Sequence, residues 1–181
     1  RKAFVADLGK AFHEVGFVGV INHQVPKDLI DNFYRVSKEF FSMPVDTKRK
    51  YEVAGLAGQR GYTSFGKEHA KQSKVADLKE FYQLGQYVSD DSPFKEEYPD
   101  NPIVTDVEGF SKYGENLYKA FEVTGAHLLR AIAIYLGLEE TYFDDKIHEG
   151  NSILRTIHYP PITEEPQSAI RAEQHEDINL I

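Results

Sequence analysis

From Phe110 to Tyr135 the chain carries Phe110, Tyr113, Leu117, Phe121, Thr124, Leu128, Ile132 and Tyr135 at steps of three or four residues. That period places them on one side of an α-helix, and Gly137 just beyond is the residue type that closes one. About seven helical turns with a continuous aromatic stripe need a second layer to cover the stripe. The segment is therefore expected to be the spine of a packed core, not a cofactor box. Two shorter helices precede it. Residues 2–15 present Phe4, Leu8, Phe12 and Val15 and stop at Gly16, and Pro26 opens a second helix whose stripe is Leu29, Phe33, Val36 and Phe40, ending at Met43-Pro44. Short runs rich in β-branched and aromatic residues predict strands at Phe17–Ile21, Phe81–Gly85 and Ser152–Tyr159, with a further strand beginning near Gln174. Segments 54–67, 90–106 and 163–167 are loop-like. Helices first and strands later predict an α+β fold, with helices backing a sheet.

Composition narrows the function. A length of 181 residues allows one domain with a real core. A net charge of −8 argues against nucleic acid or anionic lipid as the main partner. The short Lys48-Arg49-Lys50 run does not offset that charge, and it is expected to be a solvated helix end. No apolar run has membrane-spanning length and no leader pattern opens the chain. With no cysteine, disulfides, thiolate metal sites and cysteine nucleophiles are all excluded, which suits a cytoplasmic setting. Any metal must be held by His, Asp and Glu. The glycines at 55, 58, 61 and 66 lack the spacing and the strand-to-helix context of a phosphate cradle. Both ends of the chain read as interior to a longer protein.

Among seven histidines, His175 stands out by its company. In His175-Glu176-Asp177 a strand would put an imidazole and a carboxylate on one face with Glu176 on the other. These are two of the three ligands of a 2-His-1-carboxylate iron site. The pair alone also fits a surface strand with ordinary polar residues.

The surrounding motifs separate the two readings. Gln174 to Ile181 resembles the metal-binding strand of the isopenicillin N synthase-like family of 2-oxoglutarate- and iron(II)-dependent oxygenases. Glu14 to Pro26 is similar to that family's N-terminal signature, with Gln24 where Gly is commoner. Phe40-Phe41-Ser42-Met43-Pro44, Lys50, Arg60-Gly61-Tyr62, Asp77-Leu78-Lys79-Glu80-Phe81, and Leu154-Arg155 through Tyr159-Pro160-Pro161 follow in the family's order. The resemblance implies a helix-rich region, residues 1–150, packed on a double-stranded β-helix (jelly-roll) core whose first strands lie in 151–181, all in one structural domain. It further implies Fe(II) held by His175, Asp177 and a histidine beyond Ile181, and an Arg-x-Ser motif beyond Ile181 for 2-oxoglutarate. The reaction implied is oxidation of a small molecule by O2, with 2-oxoglutarate converted to succinate and carbon dioxide.

The resemblance also gives Tyr159 a cosubstrate-binding role inside the barrel. Strand alternation then puts Arg155 and Ile157 on the same face as Tyr159 and turns His158 away from it. Ile157 stands where many plant relatives have Asn. Arg155 becomes a candidate for pairing with an acidic substrate, or for a salt bridge at the rim. Tyr62 is a candidate to line the substrate entrance or to anchor its loop, and His23 is expected to stabilise a turn. Three other readings stay open: an oxidase of the isopenicillin N synthase type that needs no 2-oxoglutarate, a barrel that binds without catalysing, and a hydrolytic or isomerising metal site.

Overall fold

The computed structural model describes residues 1–56, 58–67, 78–163 and 171. Among these residues three helices make up most of the helical layer: α1 (Lys2–Glu14), α2 (Lys27–Phe41) and the long α4 (Phe110–Tyr135). Two short ones, α3 (Val45–Arg49) and α5 (Asp144–Ile147), complete the helical layer. Strands β1 (Gly61–Thr63), β2 (Glu80–Gly85) and β3 (Ile153–His158) form an antiparallel sheet in the order β1-β2-β3. Among the described residues no helix is long and apolar enough to cross a membrane.

The main core lies between α2, α4 and one face of the sheet. Phe40 is fully buried at its centre, with the rings of Tyr51, Tyr62, Tyr82 and Phe110 at centroid distances of 5.9, 5.8, 5.3 and 5.0 Å. Edge-to-face and tilted packing of this kind adds to the area term through the ring quadrupoles. Gly114 on α4 lets the helix approach the sheet closely, since a Cβ at that position would force the Leu84 side chain of β2 to move. A second cluster joins α1 to the C-terminal half of α4 through Val5, Leu8 and Ala131. Past α4, Gly137 takes φ +73°, and Leu138 N–H donates back to the Ala133 carbonyl, closing the helix as its glycine predicts.

Four expectations need correction. Phe17–Ile21 is not a buried strand. Val18 and Val20 pack on the second cluster, but Phe17 and Ile21 are 79% and 83% exposed. The run has the alternation of a strand, yet no neighbouring edge among the described residues pairs with it. The stripe of α4 drifts, leaving Phe121 exposed while Gly114, Tyr118 and Ala133 go inside. The 54–67 loop contains β1. Lys48 lies inside α3 (Val45–Arg49) and is buried to 3% exposure instead of being solvated.

His23 does stabilise a turn. Its Nδ1 accepts from Val25 N–H at 3.2 Å, its carbonyl accepts from the Thr124 hydroxyl at 3.1 Å, and its neighbours Asn22 and Gln24 both have positive φ. The φ of +63° at Gln24 is the physical reason a glycine would be at ease there.

Truncating Phe40 to alanine removes the ring shared by all these aromatics. A loss of about 3–5 kcal/mol is expected, measurable as a fall in the denaturant midpoint with little change in slope.

Candidate functional site

Every residue of β2 is buried, so its polar side chains must find partners inside the protein. The register with β3 provides them. Glu80 stands opposite His158, Phe81 opposite Ile157, Tyr82 opposite Thr156, Gln83 opposite Arg155 and Leu84 opposite Leu154. Alternation then divides the pairs between two faces. Glu80, Tyr82, Leu84, Leu154, Thr156 and His158 face the helices. Phe81, Gln83, Arg155, Ile157 and, just past the strand, Tyr159 belong to the other face, where the β3 residues are the more exposed.

On the helix side a buried polar cluster is built around Glu80. Its Oε2 accepts from Lys48 Nζ at 2.7 Å and from the Tyr62 hydroxyl, and its Oε1 lies 2.8 Å from His158 Nδ1. Lys48 also donates to the Phe41 carbonyl at 3.0 Å. The Phe41 ring stacks on His158 at 5.3 Å. Burial pushes the Glu80 carboxyl upward, but the hydrogen bonds from Lys48, Tyr62 and His158 outweigh it and hold the group below the usual carboxylate range. Burial, reinforced by the adjacent Glu80, pushes the Tyr62 phenol well up.

On the opposite face Gln83 fixes Arg155. The Gln83 Nε2 donates to the Gly58 carbonyl, which leaves its Oε1 to accept from Arg155 Nε at 2.6 Å. The guanidinium lies 4.5 Å from the centre of the Phe81 ring. Arg60, 1% exposed, packs where a side chain on Gly85 would have to go, and its Nη1 donates to the Gln59 carbonyl at 2.9 Å. Desolvation lowers its pKa, and the phenols of Tyr118, Tyr98 and Tyr87 oppose that shift.

The sequence-predicted residues are distributed as follows. Arg155 and His158 lie on opposite faces of β3, and alternation carried one residue past the strand puts Tyr159, 37% exposed, with Arg155. His158 points the other way, into the Glu80 cluster. Tyr62 takes the anchoring position of its two expected places. It is 2% exposed, on the helix-facing side, with its hydroxyl bound to Glu80, so it anchors its segment to the core. His175 and Asp177 lie outside the described residues, and among the described residues no three His, Asp or Glu side chains converge as a metal site. Sequence reasoning missed Lys48, Glu80 and Gln83. Glu80 had one signal, its place at the head of a buried strand. Lys48 had none, because a buried lysine looks like a surface one in the sequence.

Known proteins share this arrangement of chain. Residues 1–106 match the family model described as the non-haem dioxygenase in morphine synthesis N-terminal. The chain belongs to this family of non-haem dioxygenase N-terminal regions. It is 30% identical to the 2-oxoglutarate-dependent dioxygenase htyE of Aspergillus rugulosus, over 100% of this chain and 57% of that protein. A 2OG-Fe(II) oxygenase family protein from Caulobacter crescentus superposes with a TM-score of 0.86 at 36% identity, over 98% of this chain and 57% of that one. A full-length Neurospora crassa protein, solved in complex with alpha-KG, gives 0.77 at 27% identity, over 96% and 55%. The chain thus spans little more than half the length of the relatives it matches.

Replacing Lys48 with methionine leaves the buried Glu80 charge without its cation and should cost about 3–5 kcal/mol. The double variant Lys48→Met/Glu80→Gln should recover much of that. Because the folded-state pKa of Glu80 is depressed, its contribution is present above the unfolded value of about 4.3 and is lost as pH falls through the lower folded value. Denaturant midpoints measured from pH 5 to pH 3 should therefore fall more steeply for the unmodified protein than for the double variant.

Proposed function

We propose that the protein is a non-haem iron(II) oxygenase that uses 2-oxoglutarate and O2 to oxidise a small molecule. The observation that carries the reading is the division of β3 into two faces. His158 is committed to Glu80 on one side and Arg155 is braced by Gln83 on the other, the side to which alternation assigns Tyr159. A hydroxyl and a guanidinium on one surface suit ligands that carry carboxylates. The named activity of the Aspergillus relative and the alpha-KG bound to the Neurospora neighbour support the same assignment. In this reading residues 1–150 are the helical support and 151–181 the first strands of a jelly-roll core. A cytoplasmic location accords with the cysteine-free composition.

His175 and Asp177 would hold the iron, a nitrogen and oxygen donor pair suited to that ion. When bound, iron and 2-oxoglutarate supply the oxidising chemistry. The chain's own residues have a different task. Tyr159 donates a hydrogen bond to a cosubstrate carboxylate. Arg155, held by Gln83 and by the Phe81 ring, enters the encounter already oriented, so little side-chain entropy is lost when it meets an acidic group on the substrate. Ile153 and Ile157, on the same face, displace water from the surface beside them and strengthen those polar contacts.

The test is succinate formation by the full-length protein with iron(II), 2-oxoglutarate, O2 and candidate substrates. Succinate matched to oxidised product supports the reading. Product made without 2-oxoglutarate would assign the protein to the oxidases instead. His175→Ala and Asp177→Ala should each abolish turnover and weaken iron(II) binding at least about tenfold. Arg155→Met should raise the KM for an acidic substrate while leaving the KM for 2-oxoglutarate near its original value.

A further inference from the structure

We propose that Glu80 and His158 are positioning residues for the cosubstrate site, setting from the helix side the direction in which Tyr159 leaves the sheet. The proposal rests on the reading that Tyr159 binds 2-oxoglutarate. Consecutive residues of a strand point to opposite faces, so fixing one side chain fixes the backbone rotation from which the next departs. His158 is the last residue of β3, and Tyr159 lies beyond the last paired position. The ladder therefore does not hold Tyr159 directly. His158 is the side chain next to it, and it is held on two sides: by the Glu80 carboxylate at 2.8 Å and by the Phe41 ring stacked at 5.3 Å.

A carboxylate can only accept, so the His158 Nδ1 carries the proton. Glu80 in turn cannot shift to follow a moving imidazole. Its other oxygen is bound by Lys48 and Tyr62, and its side chain is 2% exposed. Lys48 is itself tied to the Phe41 carbonyl, so the ion pair and the residue whose ring stacks on His158 are joined directly. The chain of contacts runs from α3 through Glu80 to His158 and emerges on the far face of the sheet as the aim of Tyr159. On that face the Gln83–Arg155 bond steadies the strand four residues earlier. Beyond Tyr159 the Arg171 Nη2 donates to the Pro160 carbonyl at 3.0 Å, so the His158 clamp is the nearest described side-chain contact on the strand side of Tyr159.

The experiment is a double-mutant cycle read by calorimetric affinity for 2-oxoglutarate. It uses the full-length protein with manganese(II) in place of iron(II), so that no turnover intrudes. His158→Leu keeps bulk against Phe41 and removes the hydrogen bond. His158→Asn retains a donor close to the Nδ1 position. Tyr159→Phe removes the hydroxyl. His158→Leu is expected to weaken 2-oxoglutarate binding about 3- to 10-fold, the scale of one hydrogen bond, at a thermal midpoint within a few degrees of the original. His158→Asn should restore most of the affinity, and His158→Leu should add less than about twofold in the Tyr159→Phe background, as expected when one residue acts through the other.

Undiminished affinity in His158→Leu, alongside a loss in Tyr159→Phe, would overturn the proposal and leave the role of Tyr159 intact. A His158→Leu loss that persists in full without the Tyr159 hydroxyl would overturn it as well, because His158 would then act elsewhere. No effect of Tyr159→Phe itself would remove the reading on which the proposal rests, and the proposal with it.

Discussion

A carboxylate sealed into an apolar interior must be met by donors, or folding pays for its lost hydration without return. Glu80 meets that constraint by drawing three elements onto one spot: Lys48 from α3, Tyr62 from β1 and His158 from β3. None of the three is its neighbour in sequence. The cluster therefore ties the helical layer to the sheet and adds directional contacts to the register that the buried apolar face already favours. A one-residue slip of β3 would move His158 away from Glu80 and turn Arg155 and Tyr159 toward the helices, so the same ion pair that is costly to bury also specifies which face carries the polar groups.

The aromatic core complements this arrangement. Phe40 and its surrounding rings supply much of the apolar contact between α2, α4 and β2, but such contact is non-directional and tolerates small displacements. The polar cluster does not. Burial holds the layers together, and the hydrogen bonds decide how they are oriented.

The long helix and its closing glycine are legible in the sequence because 26 residues of 3.6-fold period leave little choice. The helix opened by Pro26 and the strands at 81–85 and 152–159 are also visible, since their patterns are local. Phe17–Ile21 misleads because its composition describes a strand's preference, whereas pairing depends on a neighbour that composition cannot name. Tyr62 is only half legible for a related reason: the glycines around it suggest a loop that it lines or anchors, while the partner that anchors it is a carboxylate 18 positions later. For the candidate site, alternation correctly sets Arg155 and His158 on opposite faces of β3. The partners that fix those positions, Gln83 and Glu80, are invisible because nothing short-range links them to residues more than 70 positions away.

The amide of Gln83 illustrates how narrow a position can become. Its nitrogen is claimed by the Gly58 carbonyl, so its oxygen is presented to Arg155 without any further choice. Asparagine is one methylene too short to reach both groups. Glutamate would pair more strongly with the guanidinium but would set a negative charge against a carbonyl oxygen with no proton to share. Of the common residues, only glutamine satisfies a donor on one side and an acceptor on the other at that length. A substitution at this position breaks at least one of the two bonds, and because the Gly58 partner is a backbone carbonyl, no change of side chain at residue 58 can compensate for it.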